Sequence, residues 1–131
     1  MNELESTALA GHKILAVEDE SLVAMFLEDV LLDLGCVCVG PVGRVQDALN
    51  LLNDTAVDAA VLDVNVAGER VFPVANRLAE MKAPFIFATG YGEAGLPDAY
   101  HSRIVLQKPY SAAALQKALE QCLRELPGAR R

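Results

Sequence analysis

Five short apolar runs recur along this chain, at residues 13–17 (KILAV), 36–40 (CVCVG), 58–64 (DAAVLDV), 84–89 (PFIFAT) and 103–107 (RIVLQ). None alternates strictly between apolar and polar positions, and short runs of this kind suit strands that are covered on both faces. Helical periods lie between them. The first predicted helix starts at Ser21 as its cap and stops at Gly35, with Leu22, Met25, Phe26, Val30, Leu31 and Leu34 on one face. A second, from about Val45 through Leu52, turns Val45, Ala48, Leu49 and Leu52 inward, and a third, from about Val71 to Met81, uses Val74, Ala75, Leu78 and Met81. The last is capped by Ser111 and carries Leu115, Ala118, Leu119, Cys122, Leu123 and Leu126 at the helical period. Between Thr89 and the last strand the stretch GYGEAGLPDAYHS holds Gly90, Gly92, Gly95 and Pro97, so a fourth helix there is expected to be short or mobile.

Strand alternating with helix predicts an α/β fold: a doubly wound, five-stranded parallel sheet of flavodoxin-like order 2-1-3-4-5, with about five helices and right-handed crossovers. Ligands bind such sheets outside the carboxyl ends of the strands. The first strand offers Glu18 and Asp19 there, the third Asp63, the fourth Thr89 and the fifth Lys108, while the second ends in GPVG without a charge. In that order Asp19 and Asp63 are neighbours. Carboxylates about 5 Å apart repel by roughly 3 kcal/mol per pair at an effective dielectric near 20, so a counter-charge is required. A few oxygen ligands with room for water suit Mg²⁺. With a cation and Lys108 to hold the equatorial oxygens, Asp63 is placed to accept a phosphoryl group as a nucleophile. Glu20 is expected to be a solvated acid at a helix start, favoured by the helix dipole.

Length and charge narrow the classes of function. The 131 residues suffice for one domain, read as a flexible N-terminus at 1–11, a globular body at 12–126 and a flexible C-terminus at 127–131. A hydrophobic share of 53% excludes a disordered acidic chain, and a net charge of −7 with only 11 Lys and Arg argues against nucleic acid as the direct partner. No apolar run approaches the roughly 20 residues of a spanning helix, and the start MNELESTALAGHK has acids where a secretory signal carries bases, so no membrane contact and a cytoplasmic location are expected. Cys36, Cys38 and Cys122 read as reduced, small apolar side chains, because His12 and His101 have no metal-ligand spacing to them.

The segments VEDE, VLDVNV, FATG and QKPY, in this order over residues 12–125, resemble the four signatures of the response-regulator receiver domain, the CheY-like family. The resemblance implies that Asp63 is the phosphoacceptor, that Asp19 binds Mg²⁺ directly and Glu18 through water, and that Asn65 gives the metal its backbone carbonyl. It further implies that Thr89 bonds to a phosphoryl oxygen, that Lys108 pairs with the phosphate and that the Lys108–Pro109 peptide is cis. The segment FATGYG also resembles the FATGUY subgroup of single-domain receivers, whose partners are histidine kinases of the HWE type. Receivers usually carry an aromatic residue three before the lysine, and here Val105 stands there. Tyr91 and Tyr110 are the candidates to replace it, and ordering of residues 90–101 is expected to carry the signal.

The resulting expectation is a stand-alone receiver, not an enzyme, that takes a phosphoryl group from a histidine kinase and signals by protein–protein contact. The alternative is a phosphorylation-independent adaptor on the same fold. A flavodoxin-like cofactor binder is disfavoured by acids where a phosphate-cradling loop is needed, and a haloacid-dehalogenase-like phosphatase by Asn65 where its second aspartate belongs.

Overall fold

The structure is a computed structural model that describes residues 9–90 and 96–124. Strands β1 (Lys13–Val17), β2 (Val37–Val42), β3 (Ala59–Asp63), β6 (Phe85–Thr89) and β7 (Val105–Gln107) form one parallel sheet in the order β2-β1-β3-β6-β7. This is the predicted order, with two short strands, β4 (Asn65–Val66) and β5 (Glu69–Arg70), inserted as an antiparallel hairpin after β3. The helices are α1 (Ser21–Asp33), α2 (Val45–Asp54), α3 (Phe72–Glu80) and α4 (Ala112–Arg124), with a 3-10 turn at Asp98–Tyr100. Of the stretch 90–102, where a short or mobile fourth helix is expected, residues 91–95 lie outside the described residues, and the described remainder holds this 3-10 turn as its helical element.

The period-two geometry of the strands divides the core into two layers. Ile14 and Ala16, Ala59 and Val61, Ile86 and Ala88 face α1 and α4; Leu15 and Val17, Ala60 and Leu62, Phe85 and Phe87 face α2 and α3. Every residue of β3 and β6 is buried, which is why those runs show no alternation. Tyr100 enters the second layer beside Phe72, Phe85 and Phe87, and its hydroxyl donates to Asn76 Oδ1 on α3. Arg103 lies over the Phe85 ring at 4.1 Å from its centroid. Among the described residues, no helix is long and apolar enough to cross a membrane.

Three local expectations change. Ser21 does not cap α1: the helix begins at Ser21, and Glu20 occupies the cap position without a side-chain bond. The inward face of α1 is Leu27, Val30, Leu31 and Leu34, whereas Leu22, Met25 and Phe26 are 80%, 58% and 39% exposed. The first half of this helix is apolar nearly all round, so its period does not choose a face. The packed body also reaches back into the stretch read as a flexible end. Leu9 is fully buried in the α1–α4 layer, its carbonyl accepts from Cys36 Sγ, and the Gly11 N–H donates to the Gly35 carbonyl at 2.8 Å. Residues 1–8 and 125–131 lie outside the described residues.

Leu9→Ala is accordingly expected to lower the unfolding free energy by about 2–3 kcal/mol, as for other fully buried leucines. A urea titration checks it, and an unchanged midpoint would show that Leu9 does not belong to the core.

Candidate functional site

Beyond Val17 the chain stays tied to β2. One extra residue in β2 shifts its register between Leu15 and Val17, and the Glu18 N–H donates to the Val42 carbonyl at 2.9 Å. Gly40 makes the bulge possible: at φ +100° a side chain there is strained, and a Cβ would lie 2.9 Å from the Val42 nitrogen and 3.0 Å from the Ala16 carbonyl. Glu18 is thereby buried (3% exposed), while Asp19 stands at the surface. Asp19 Oδ2 accepts from the Ala67 N–H at 3.0 Å. Ala67 has a left-handed φ of 52° in the turn between β4 and β5, a conformation that costs a residue other than glycine roughly 1–2 kcal/mol.

Asp63 and Thr89 close β3 and β6 and are both buried. Lys108 follows β7, its N–H on the Thr89 carbonyl at 2.9 Å, and Gln107 Nε2 adds a second tie from the same strand end to the Gly90 carbonyl at 3.0 Å. The Lys108–Pro109 peptide is cis, as the resemblance implies.

The lysine is the hub of the site. Its Nζ lies 2.8 Å from Glu18 Oε1, 3.2 Å from Asp63 Oδ2 and 3.3 Å from Glu20 Oε1. Oxygens of Glu18, Asp19 and Asp63 all lie within 4.8 Å of one another. Asp19, Asp63, Asn65, Thr89 and Lys108 line a cleft of about 850 Å³ together with the apolar Leu22, Val23 and Phe26 of α1 and with Pro109 and Tyr110.

Burial, with the Glu18 charge next, pushes the Asp63 carboxyl up to about 7, against the opposing pull of Lys108. Burial alone would lower the Lys108 pKa, but its hydrogen bond to Glu18 and the charges of Asp63 and Glu18 win and raise it. One ammonium therefore does not fully balance the acids, and the Asp63 carboxyl takes up a proton more readily than an ordinary aspartate. Three oxygens this close, two from buried residues and one from an exposed one, fit a hard divalent cation, and Asn65 lines the same cleft as Asp19 and Asp63.

Glu18, Asp19, Asp63, Asn65, Thr89 and Lys108 thus come together as predicted. Glu20 does more than expected: exposed as it is, it reaches Lys108. Tyr91 lies outside the described residues. Val105 is half-buried in β7, pairs with Phe87 of β6 in the sheet register and packs on the layer that also holds Tyr100, a buried aromatic that the sequence reading passed over. The AG turn of NVAGER signals the hairpin that reaches Asp19; the tie from Gln107 has no sequence signal. Cys36 and Cys38 are raised to about 11 by burial, in keeping with inert thiols.

Sheet order and edge chemistry together define a CheY-like α/β protein. No family model matches the chain. Among solved structures it is similar to SdrG from Sphingomonas melonis Fr1, with 45% identity, 89% of this chain and 98% of that one covered, and a TM-score of 0.77. The BeF3-activated conformation of SdrG from Pseudomonas melonis Fr1 gives 44% identity, coverage of 87% and 98%, and a TM-score of 0.74. The receiver domain of sensor histidine kinase PA1611 from Pseudomonas aeruginosa PAO1, which has a magnesium ion coordinated in its active-site cleft, shares the fold at TM-score 0.73 and 22% identity, with coverage of 87% and 98%. The transcriptional regulatory protein PdtaR of Mycobacterium tuberculosis is 27% identical over 120 residues, 88% of this chain but 58% of PdtaR, so the chain spans little more than half of that relative. The chain belongs to the response-regulator receiver domains of two-component systems.

Proposed function

We propose that the chain accepts a phosphoryl group on Asp63 from the phosphohistidine of a sensor histidine kinase, with Mg²⁺ bound, and signals through protein–protein contact. The observation that carries this reading is the position of Asp63: buried at a strand end, with one oxygen 3.2 Å from Lys108 Nζ, among the acids of Glu18 and Asp19, at the floor of an open cleft. An Asp63 oxygen attacks phosphorus as the phosphorus–nitrogen bond to histidine breaks, and the imidazole leaves with the electron pair. The Lys108 ammonium turns from the carboxylates to the incoming phosphoryl oxygens, and the Thr89 hydroxyl donates to one of them. Asp19 and Asp63 with the Asn65 carbonyl would hold the metal, and Glu18 would hold it through water. Bound there, Mg²⁺ supplies positive charge that offsets both the acids and the phosphoryl oxygens.

The protein is its own substrate in this reading, a phosphoacceptor and not a turnover enzyme. A kinase of the HWE type, a place in the FATGUY subgroup, a cytoplasmic setting and the absence of nucleic acid and membrane partners complete it, in keeping with the FATGYG segment and the acidic balance. The test is intact mass after incubation with Mg²⁺ and acetyl phosphate. Wild type is expected to gain one phosphoryl group and Asp63→Asn none; equal gain in the two proteins would place the acceptor elsewhere.

A further inference from the structure

Every donor of Lys108 is already spoken for. An ammonium carries three N–H groups, and three carboxylates meet this one, Glu18 at 2.8 Å, Asp63 at 3.2 Å and Glu20 at 3.3 Å. A phosphoryl oxygen can reach Lys108 only if one of these contacts gives way. The three acids are not equivalent in this respect. Glu18 and Asp63 are buried, whereas the Glu20 side chain is 66% exposed and lines the cleft. A buried carboxylate that loses its partner keeps a desolvated charge, but an exposed one is rehydrated at little cost.

The metal cluster sharpens the difference. The oxygens close enough together to hold a cation are those of Glu18, Asp19 and Asp63, and Glu20 is not in that group. With a cation among them, Glu18 and Asp63 would have a second positive partner, and Glu20 is the acid left with Lys108 alone. Its main chain is anchored beside the site, since the Glu20 N–H donates to Glu18 Oε2 at 3.1 Å, while its side chain makes no cap bond to α1. We propose that Glu20 is a positioning residue that acts through Lys108: its carboxylate holds the ammonium in the unloaded protein, competes with the phosphoryl group for it, and turns to water when the group is bound.

This rests on the acceptor reading given above, and variants of Glu20 separate the two. Glu20→Gln removes the charge at nearly constant shape and Glu20→Ala removes the acceptor; neither loses a cap bond. With saturating Mg²⁺, the affinity of both variants for beryllofluoride, which stands in for the phosphoryl group, is expected to rise roughly threefold, the weight of one exposed ion pair. In protein labelled at the lysine Cε carbons, the Lys108 resonance is identified by its absence from Lys108→Met. Before loading, with Mg²⁺ present, it is expected to differ between wild type and Glu20→Gln, and after loading to coincide in the two. Equal beryllofluoride affinity, or a Lys108 resonance indifferent to Glu20 before loading, overturns the proposal while the acceptor reading stands. A fall in affinity for Mg²⁺ and beryllofluoride together overturns it too, because Glu20 would then serve the cation. Failure of wild type to take up beryllofluoride at all overturns both.

Discussion

Lys108→Met is expected to lower the metal-free Tm by roughly 10 °C, and Mg²⁺ is expected to restore more of that loss than it adds to the wild type. The substitution keeps the apolar stem and removes only the charge. Lys108 is the common partner of Glu18, Asp63 and Glu20, and two of these acids are buried. Removal of one partner from a buried ionic cluster leaves uncompensated charge and costs about 3 kcal/mol or more, which in a domain of this size is roughly 10 °C. The raised pKa of Asp63 limits the damage, because that carboxyl can take up a proton more readily than an ordinary aspartate. A divalent cation binds the same oxygens, so its stabilising effect is expected to grow when the ammonium is gone. Calorimetry of both proteins with and without Mg²⁺ decides it. A variant whose Tm rises no further with Mg²⁺ than that of wild type would show that lysine and metal do not serve the same acids.

The second large effect is a reversal of the usual pH trend. A carboxyl raised from its ordinary value to about 7 binds more protons in the folded than in the unfolded chain between about pH 4 and 7. Its contribution to the unfolding free energy therefore falls as pH rises through that window, by on the order of 3 kcal/mol in all. Lys108 does not alter this slope: its pKa is raised, so its stabilising contribution is complete below the ordinary lysine pKa and is lost only in alkali. Asp63→Asn is expected to abolish this fall and to leave the metal-free protein more stable than wild type near pH 7.5. The sign should reverse with Mg²⁺, because the cation binds the ionised carboxylate and is favoured as pH rises. Urea midpoints from pH 4.5 to 8 measure both effects, and parallel curves for the two proteins would remove Asp63 as their cause. The relief of repulsion belongs at Asp63 more than at exposed Asp19, which already accepts from the Ala67 N–H.

The strand ends were legible because a parallel sheet puts every carboxyl end on one edge. Once KILAV, DAAVLDV, PFIFAT and RIVLQ are strands, Glu18, Asp19, Asp63, Thr89 and Lys108 have nowhere else to go. The Ser111 cap was legible for a local reason, as its hydroxyl needs only the Ala114 N–H three residues on, 3.0 Å away. The face of α1 was not, since Leu22, Met25 and Phe26 continue the apolar stripe into the wall of the cleft. Leu9 escaped because a single residue has no period. Tyr100 and Tyr110, one before β7 and one after it, look alike in the sequence and differ in what surrounds their hydroxyls, Asn76 for one and no partner among the described residues for the other. Such differences are set by contacts between residues distant along the chain, and no local pattern encodes them.

The place of β7 at the edge of the sheet bears on the order of assembly. A nascent chain delivers Glu18, Asp19 and Glu20 first and Asp63 next, and the three central strands can pair as soon as β6 is available. Lys108 arrives last, directly after β7. Until β7 docks, the partial sheet carries its acids without their lysine, and the strand that completes the hydrogen-bonded edge also delivers the neutralising charge. Its docking is drawn by electrostatic attraction as well as by burial, so added salt is expected to slow this last step while leaving the pairing of β1, β3 and β6 unaffected.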